Sequence, residues 1–258
     1  MIEEPAFYIL LFVAGLVMGS FLNVCILRIP GGQSVIRPGS HCPQCKASIR
    51  WFDNIPLLSF FWLRARCRWC GEKISWRYPL VECLNGAGYL GIVSTFGWSH
   101  SALVYALFLS MLLVVTMIDV DHFLIPDGIS LPGLVIGFFA SAFILPLGWA
   151  GSLLGIALGG GILWMLAAVS PYLFGKEGMG GGDIKLLAMI GAFLGWQHVC
   201  MTLFLASCAG AMVGIGLMAF RGMERGQYIP FGPFLALGAM TALFFYQELF
   251  DIYESMFL

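Results

Sequence analysis

Five residues in this chain have the types and placement to do chemistry at the edge of an apolar phase. Asp119, Asp121, His122 and Asp127 arrive within nine positions, directly after a stretch from Cys83 to Ile118 that holds no Asp, Glu, Lys or Arg. Asp183 follows a glycine run that includes Gly178, Gly180, Gly181 and Gly182. Ionised groups are expensive beside hydrocarbon, so carboxylates placed there ask for a functional reason. Two carboxylates held face to face cannot both ionise cheaply and can share one proton. One member can then activate water while the other protonates or polarises a scissile amide, the division of labour of an aspartic protease.

Each residue also has a plainer reading. Asp183 opens an apolar helix, where aspartate is favoured as an N-cap. A phosphate-binding loop is disfavoured, because the glycine run lacks the GxxxxGK[ST] spacing. Asp121 lies two residues from Asp119 and faces elsewhere on a continuing helix, and Asp127, after Pro126, reads as a cap of the next helix. His122 can share the helical face of Asp119, but with no metal or triad pattern around it the residue reads as an interfacial histidine.

The second constellation is cysteine. Cys42-x2-Cys45 and Cys67-x2-Cys70 are separated by 21 residues. Paired knuckles of this kind point to a closed tetrahedral zinc site, each tight turn supplying two thiolates. A pair of disulfides or a redox-active pair is the alternative, weakened if the segment faces a reducing cytosol. A four-thiolate shell leaves no open coordination position, so the expected role is structural, stapling a segment with little core of its own. Cys25, Cys83, Cys200 and Cys208 lie in apolar runs and read as small buried side chains.

The elements that must position these groups are membrane helices. The chain has 258 residues, 60% hydrophobic and 10% charged, against about 25% charged in soluble domains. The net charge of −1 gives no basic surface for nucleic acid. A span needs about 20 apolar residues. The runs Ala6–Leu27, Leu80–Phe96, Ser101–Ile118, Gly128–Gly175 (two spans joined near Pro146–Trp149), Ile184–Phe220 (a short and a full span broken near Gly195–His198) and Phe231–Phe250 predict eight, the sixth being the least regular. The fold class expected is therefore an all-α polytopic membrane protein: a first helix over 1–27, a four-cysteine segment over 28–79 and a helical membrane domain over 80–258. Glycines at four-residue spacing, such as Gly15/Gly19, Gly151/Gly155/Gly159, Gly191/Gly195 and Gly210/Gly214, are expected to let helices approach closely.

Nine of the thirteen Lys and Arg lie between Arg28 and Arg77, and Lys176, Lys185, Arg221 and Arg225 are the others. With eight spans and a retained first helix whose N-terminus is outside, every one falls on the cytoplasmic side, as the distribution of cations in membrane proteins requires. The same arrangement puts Asp119–Asp127 and Asp183 at the cytoplasmic face.

At these motifs the chain resembles the bacterial type IV prepilin peptidases, a family of intramembrane aspartic proteases with a GxGD motif. "IDVDHFLIPD" is followed, 64 positions after Asp119, by Gly180-Gly181-Gly182-Asp183. "GLVMGSFLNVCILRIP", "CPQC", "NIPLLSF" and "CRWCGEKISWRYPLVE" extend the likeness over nearly the whole chain. The resemblance implies a bacterial inner-membrane enzyme that cleaves the basic leader from type IV prepilins or type II secretion pseudopilins after a glycine. Many members then methylate the new amino terminus with S-adenosylmethionine. Carried over by motif position, Asp119 and Asp183 would be the catalytic pair, Gly180, Gly181 and Gly182 the active-site loop, and Cys42, Cys45, Cys67 and Cys70 the zinc ligands. Asp121 and Asp127 are candidates to contact the basic leader.

The family pattern commonly has glycine two positions before the third cysteine, where this chain has Ala65. That segment is associated with the methyltransferase activity. No GxGxxG follows a strand, so no methyl-donor site can be placed from first principles. Glu82, at the end of the second span, reads as an interfacial glutamate or as a residue facing such a site. The competing function classes are an ion- or proton-coupled transporter using the carboxylates, for which no internal symmetry is visible, and a membrane scaffold recruiting partners through the zinc segment.

Overall fold

A computed structural model describes residues 5–174, 180–221 and 229–257. Gly178 of the glycine run and the cations Lys176 and Arg225 lie outside the described residues. Among the described residues the architecture is helical, with α1 (Pro5–Arg28), a 3-10 turn (Trp51–Asn54), α2 (Leu58–Trp62), α3 (Arg77–Phe96), α4 (His100–His122), α5 (Asp127–Phe143), α6 (Gly148–Phe174), α7 (Gly181–Leu194), α8 (Trp196–Arg221) and α9 (Gly232–Phe257). Leaving aside the 3-10 turn and α2, these helices fall on the apolar runs of the sequence. By length and composition α1, α4, α6, α8 and α9 can each cross a membrane. The helix α5 is a shorter apolar helix of 17 residues and α7 has 14.

The chain forms two compact units, residues 1–114 and 115–258, with the boundary inside α4. In the first, α1 lies against α3 so closely that a Cβ on Gly15 would stand 2.6 Å from Gly86 Cα, and one on Gly19 2.6 Å from Glu82 Cα. Asn85 is fully buried there. Its amide donates to Gly15 O at 2.8 Å, and its carbonyl accepts from the Ser110 hydroxyl at 2.9 Å, tying α1, α3 and α4 together. A buried amide costs free energy unless bonded, so this one fixes the register of three helices. Where α1 ends, buried Arg28 donates to the carbonyls of Ser34, Pro38 and Gly39 and closes the following loop onto the helix.

In the second unit α7 is the central helix, buried from Leu186 to Leu194, with α5 and α6 packed on it. A Cβ on Gly155 or on Gly191 would collide with the backbone carbonyl of the other, so α6 and α7 meet backbone to backbone. The last turn of a helix leaves carbonyls without intrahelical partners. Here one of them, the Ala192 carbonyl, accepts from two hydroxyls on other helices, Ser141 of α5 at 2.7 Å and Ser152 of α6 at 2.8 Å. Gly210 and Gly214 make no such approach, their nearest neighbours being side-chain atoms at 3.6 Å or beyond. The expectation of buried cysteines holds for Cys25 alone. Cys83 is half-buried, and Cys200 and Cys208 point outward from α8, a helix whose sides are nearly bare of protein and suited to lipid.

Candidate active site and metal centre

Asp119 lies in the last turn of α4 and is only 5% exposed. The helix stops three residues later, and Phe123, at φ +53°, donates its N–H to Asp119 O at 2.9 Å. The Asp119 side chain points to the start of another helix. Gly232, the first residue of α9, donates its N–H to Asp119 Oδ2 at 2.9 Å. The first N–H groups of a helix have no internal acceptor, and they carry the positive end of the helix dipole. Asp119 supplies that acceptor from 113 residues away. A Cβ on residue 232 would stand 2.7 Å from Asp119 Oδ2, so only glycine brings its backbone this close.

Asp183 lies in the first turn of α7, whose N-cap is Gly180, with no side-chain cap. The N-cap reading of Asp183 is thereby corrected: the chain enters the helix two residues earlier, with Gly180 at the N-cap position. Asp183 donates its N–H to Gly180 O at 3.2 Å, and its carboxylate reaches back to accept from the Gly180 N–H. Buried Ile125 lies between the start of α7, which carries Asp183, and the start of α9, whose Gly232 holds Asp119. A Cβ on Gly182 would stand 2.8 Å from Ile125 Cβ, and one on Gly232 3.4 Å from Ile125 Cδ1. The charge of Asp119 acts on Asp183 directly. The two carboxylates are thus electrostatic neighbours in a mostly buried setting, where joint ionisation is costly.

The other acidic residues have different surroundings. Asp121 and His122 are exposed. Asp127 does not cap α5, because Pro126 occupies the N-cap position. It instead forms an exposed ion pair with Lys185 of α7, Nζ standing 2.6 and 2.8 Å from its two oxygens. Sequence reasoning missed Gly232 and Ile125. The readable signal was Gly232-Pro233 opening an apolar run, since proline in the first turn marks a helix start.

In the first unit the four knuckle cysteines converge. Their Sγ atoms all lie within 4.8 Å of one another, with Cys42–Cys70 at 3.8 Å and Cys45–Cys67 at 4.0 Å. A Zn–S bond of about 2.3 Å implies tetrahedral S···S edges of about 3.8 Å, so the donor set fits zinc. The two knuckles repeat one design. Cys42 N–H donates to Ala47 O and Lys46 N–H to Cys42 O, while Cys67 N–H donates to Glu72 O and Gly71 N–H to Cys67 O. The fifth residue of each turn is left-handed, Lys46 at φ +58° and Gly71 at φ +71°. The N–H groups of Cys70 and Trp69 hold the Cys67 thiol down at about 7, so this ligand is about half thiolate at neutrality.

A family model for the bacterial peptidase A24 N-terminal domain matches residues 13–96, and one for the type IV leader peptidase family matches residues 106–215. The chain is 42% identical to a prepilin leader peptidase/N-methyltransferase of Myxococcus xanthus, over 84% of this chain and 65% of that protein. It is 40% identical to the protein of that name from Stutzerimonas stutzeri, over 92% of this chain and 90% of the relative. The corresponding figures for Aeromonas hydrophila are 37%, 98% and 95%. No solved structure matches the chain. With two family models in tandem and relatives aligned over nearly its full length, the chain belongs to the type IV leader peptidase family.

Proposed function

We propose that this protein is an intramembrane aspartic endopeptidase that cleaves the basic leader from type IV prepilins or type II secretion pseudopilins and then methylates the new amino terminus. Family membership supports the reaction class, and one geometric observation carries the assignment of residues. A buried Asp119, held by the N-terminus of α9, is the electrostatic neighbour of Asp183 at the N-terminus of α7. Between them the pair holds one proton. The ionised carboxylate takes a proton from water as its oxygen attacks the scissile carbonyl. The protonated carboxyl polarises that carbonyl and gives its proton to the departing amine as the C–N bond breaks. Gly180, Gly181 and Gly182 let the chain pass close by without side chains.

Cys42, Cys45, Cys67 and Cys70 would hold a structural zinc ion that closes the segment 28–79, with residues 80–258 forming the peptidase domain. The methyl donor is S-adenosylmethionine, which supplies an activated methyl group to the free amine exposed by cleavage. The protein is a multi-pass inner-membrane protein. The clustering of cations supports an N-terminus outside and a catalytic end facing the cytoplasm. Family membership gives no support to the transporter reading.

Cleavage of a purified prepilin in detergent tests the assignment. Asp119→Asn and Asp183→Asn keep size and hydrogen bonding but remove the ionisable group. Each is expected to lower the rate on the order of 10²–10⁴-fold with folding and zinc content retained. Cleavage at the wild-type rate by either variant would exclude that residue from the pair.

A further inference from the structure

The first unit contains a cavity of about 560 Å³ that the peptidase chemistry does not use. Asn23, Leu57, Phe60, Tyr78 and Glu82 are among the residues lining it, and the knuckle residues Cys42 and Cys67 border it. Its size falls within the range of small-molecule sites, and its lining mixes apolar side chains with polar and charged ones, the cations Arg28, Lys46, Arg68 and Lys73 among them.

The unusual group in this lining is Glu82. Its side chain is 7% exposed, yet among the described residues no lysine or arginine pairs with it. Its hydrogen bonds come from neutral donors, the Leu57 N–H at 2.9 Å on Oε2 and the Ser20 hydroxyl. By contrast Asp53, on the same cavity wall, is neutralised by Arg68 through two hydrogen bonds of 2.7 and 2.5 Å. A buried carboxylate is costly without a counter-charge. Leu57 itself is held at φ +58°, a left-handed conformation unfavourable for leucine. The chain therefore retains a strained loop and an uncompensated carboxylate at one cavity, the kind of local cost that structures keep at ligand sites. Phe60 and Tyr78 add aromatic rings to the same lining, which a sulfonium can use, while Lys46 and Lys73 in that lining suit the carboxylate of an amino-acid moiety.

We propose that this cavity binds the methyl donor, with Glu82 as counter-charge to its sulfonium. This inference rests on the methyltransferase part of the proposed function and is independent of the aspartate pair. S-adenosylmethionine is a cation at sulfur, whereas S-adenosylhomocysteine, the same molecule without the transferred methyl group, is a neutral thioether. A carboxylate that pairs with the sulfonium must distinguish the two; a carboxylate that only props up the Leu57 loop affects both alike.

The experiment is calorimetric titration of the zinc-loaded, full-length protein in detergent with each of the two compounds. Glu82→Gln is expected to weaken S-adenosylmethionine by tenfold or more and S-adenosylhomocysteine by less than threefold, with prepilin cleavage retained as the check on folding. Equal loss for both compounds, no loss for S-adenosylmethionine, or absence of binding to the wild type would overturn the proposal. If Glu82→Gln does not fold, photo-crosslinking of wild type with an azido-adenosine analogue decides the location. Label on peptides within residues 20–82 supports the site, and label confined to residues 115–258 overturns it. Asp119→Asn provides the separation from the peptidase reading: it should bind both compounds as wild type does, whatever happens to cleavage.

Discussion

The N–H of Gly232 and the carboxylate of Asp119 meet at 2.9 Å, joining the start of α9 to the end of α4 across 113 positions of sequence. The bond satisfies an orphan donor of one helix and fixes the rotamer of an acid on another. It also makes residue 232 a positioning residue for the proposed catalysis, acting through Asp119.

Gly232→Ala tests this relationship. The backbone N–H survives, but the added Cβ would stand 2.7 Å from Asp119 Oδ2, so the carboxylate must turn or retreat. A displacement of about 1 Å can cost on the order of 10²-fold in rate. The expected outcome is a fall in kcat for prepilin cleavage of roughly 10–10²-fold, with KM little changed, because the substrate-binding surface away from the pair is untouched. Wild-type kcat would show that Asp119 tolerates a different rotamer.

Zinc content should depend on pH with a definite sign. Coordination requires four thiolates, and protons compete with the metal for each. Cys67 is held at about 7, while Cys70 is pushed up to about 12: the Glu72 N–H, which favours its thiolate, is outweighed by desolvation and the neighbouring sulfurs. Metal binding at neutral pH therefore has to displace protons, so affinity should rise as pH rises and should fall more steeply below about pH 7, where Cys67 too carries a proton in the metal-free protein. A chromogenic chelator titration at several pH values measures this. Zinc affinity that does not change between pH 6 and 8 would contradict the thiolate assignment.

Four side-chain-bearing residues of the cysteine segment, Lys46, Leu57, Arg64 and Ala65, stand where glycine would be easier, and two of them offer a test. Ala65 is at φ +57° and Lys46 at φ +58°. A left-handed conformation costs an L-residue about 1–2 kcal/mol relative to glycine, part of which glycine returns as unfolded-chain entropy. Ala65→Gly and Lys46→Gly should each stabilise the zinc-loaded protein by about 0.5–1 kcal/mol, read as an upward shift in thermal unfolding of residues 28–79. Destabilisation by both would mean that these side chains contribute contacts larger than the backbone strain.

Gly191→Ala should be severe. A Cβ there collides with the carbonyl of Gly155, a backbone atom that no side-chain rotation can move aside. Separating α6 from α7 would also disturb the turn where Ser141 and Ser152 bind the Ala192 carbonyl. Overpacking of this kind costs about 1–3 kcal/mol or more, and the expected result is loss of thermal stability together with cleavage. Gly214→Ala is the matched control: its nearest neighbour is Ile229 Cδ1 at 3.6 Å, ordinary contact, so that variant should remain within about 0.5 kcal/mol of wild type.

Much of this molecule was determined by its sequence alone. Apolar run length placed the long helices, because backbone hydrogen bonds must be satisfied locally in hydrocarbon and only a helix of sufficient length does so. The CxxC spacing marked the four-cysteine cluster for an equally local reason: each knuckle is a tight turn closed by hydrogen bonds between residues no more than five positions apart. The motif around Asp119 and the glycines before Asp183 pointed to that pair of acids, with Asp121 and Asp127 left as lesser candidates. Which carboxylate is buried depends on what packs over it, and that was decided by tertiary structure. The N-terminus of α9 covers Asp119, Lys185 pairs with Asp127 in the open, and Ile125 lies against both Gly182 and Gly232. Tertiary structure likewise left Glu82 buried at a cavity with no lysine or arginine paired to it among the described residues, and turned Cys200 and Cys208 outward from α8. These arrangements join residues far apart in the chain, so no periodicity or spacing records them; they exist only once the helices have closed on one another.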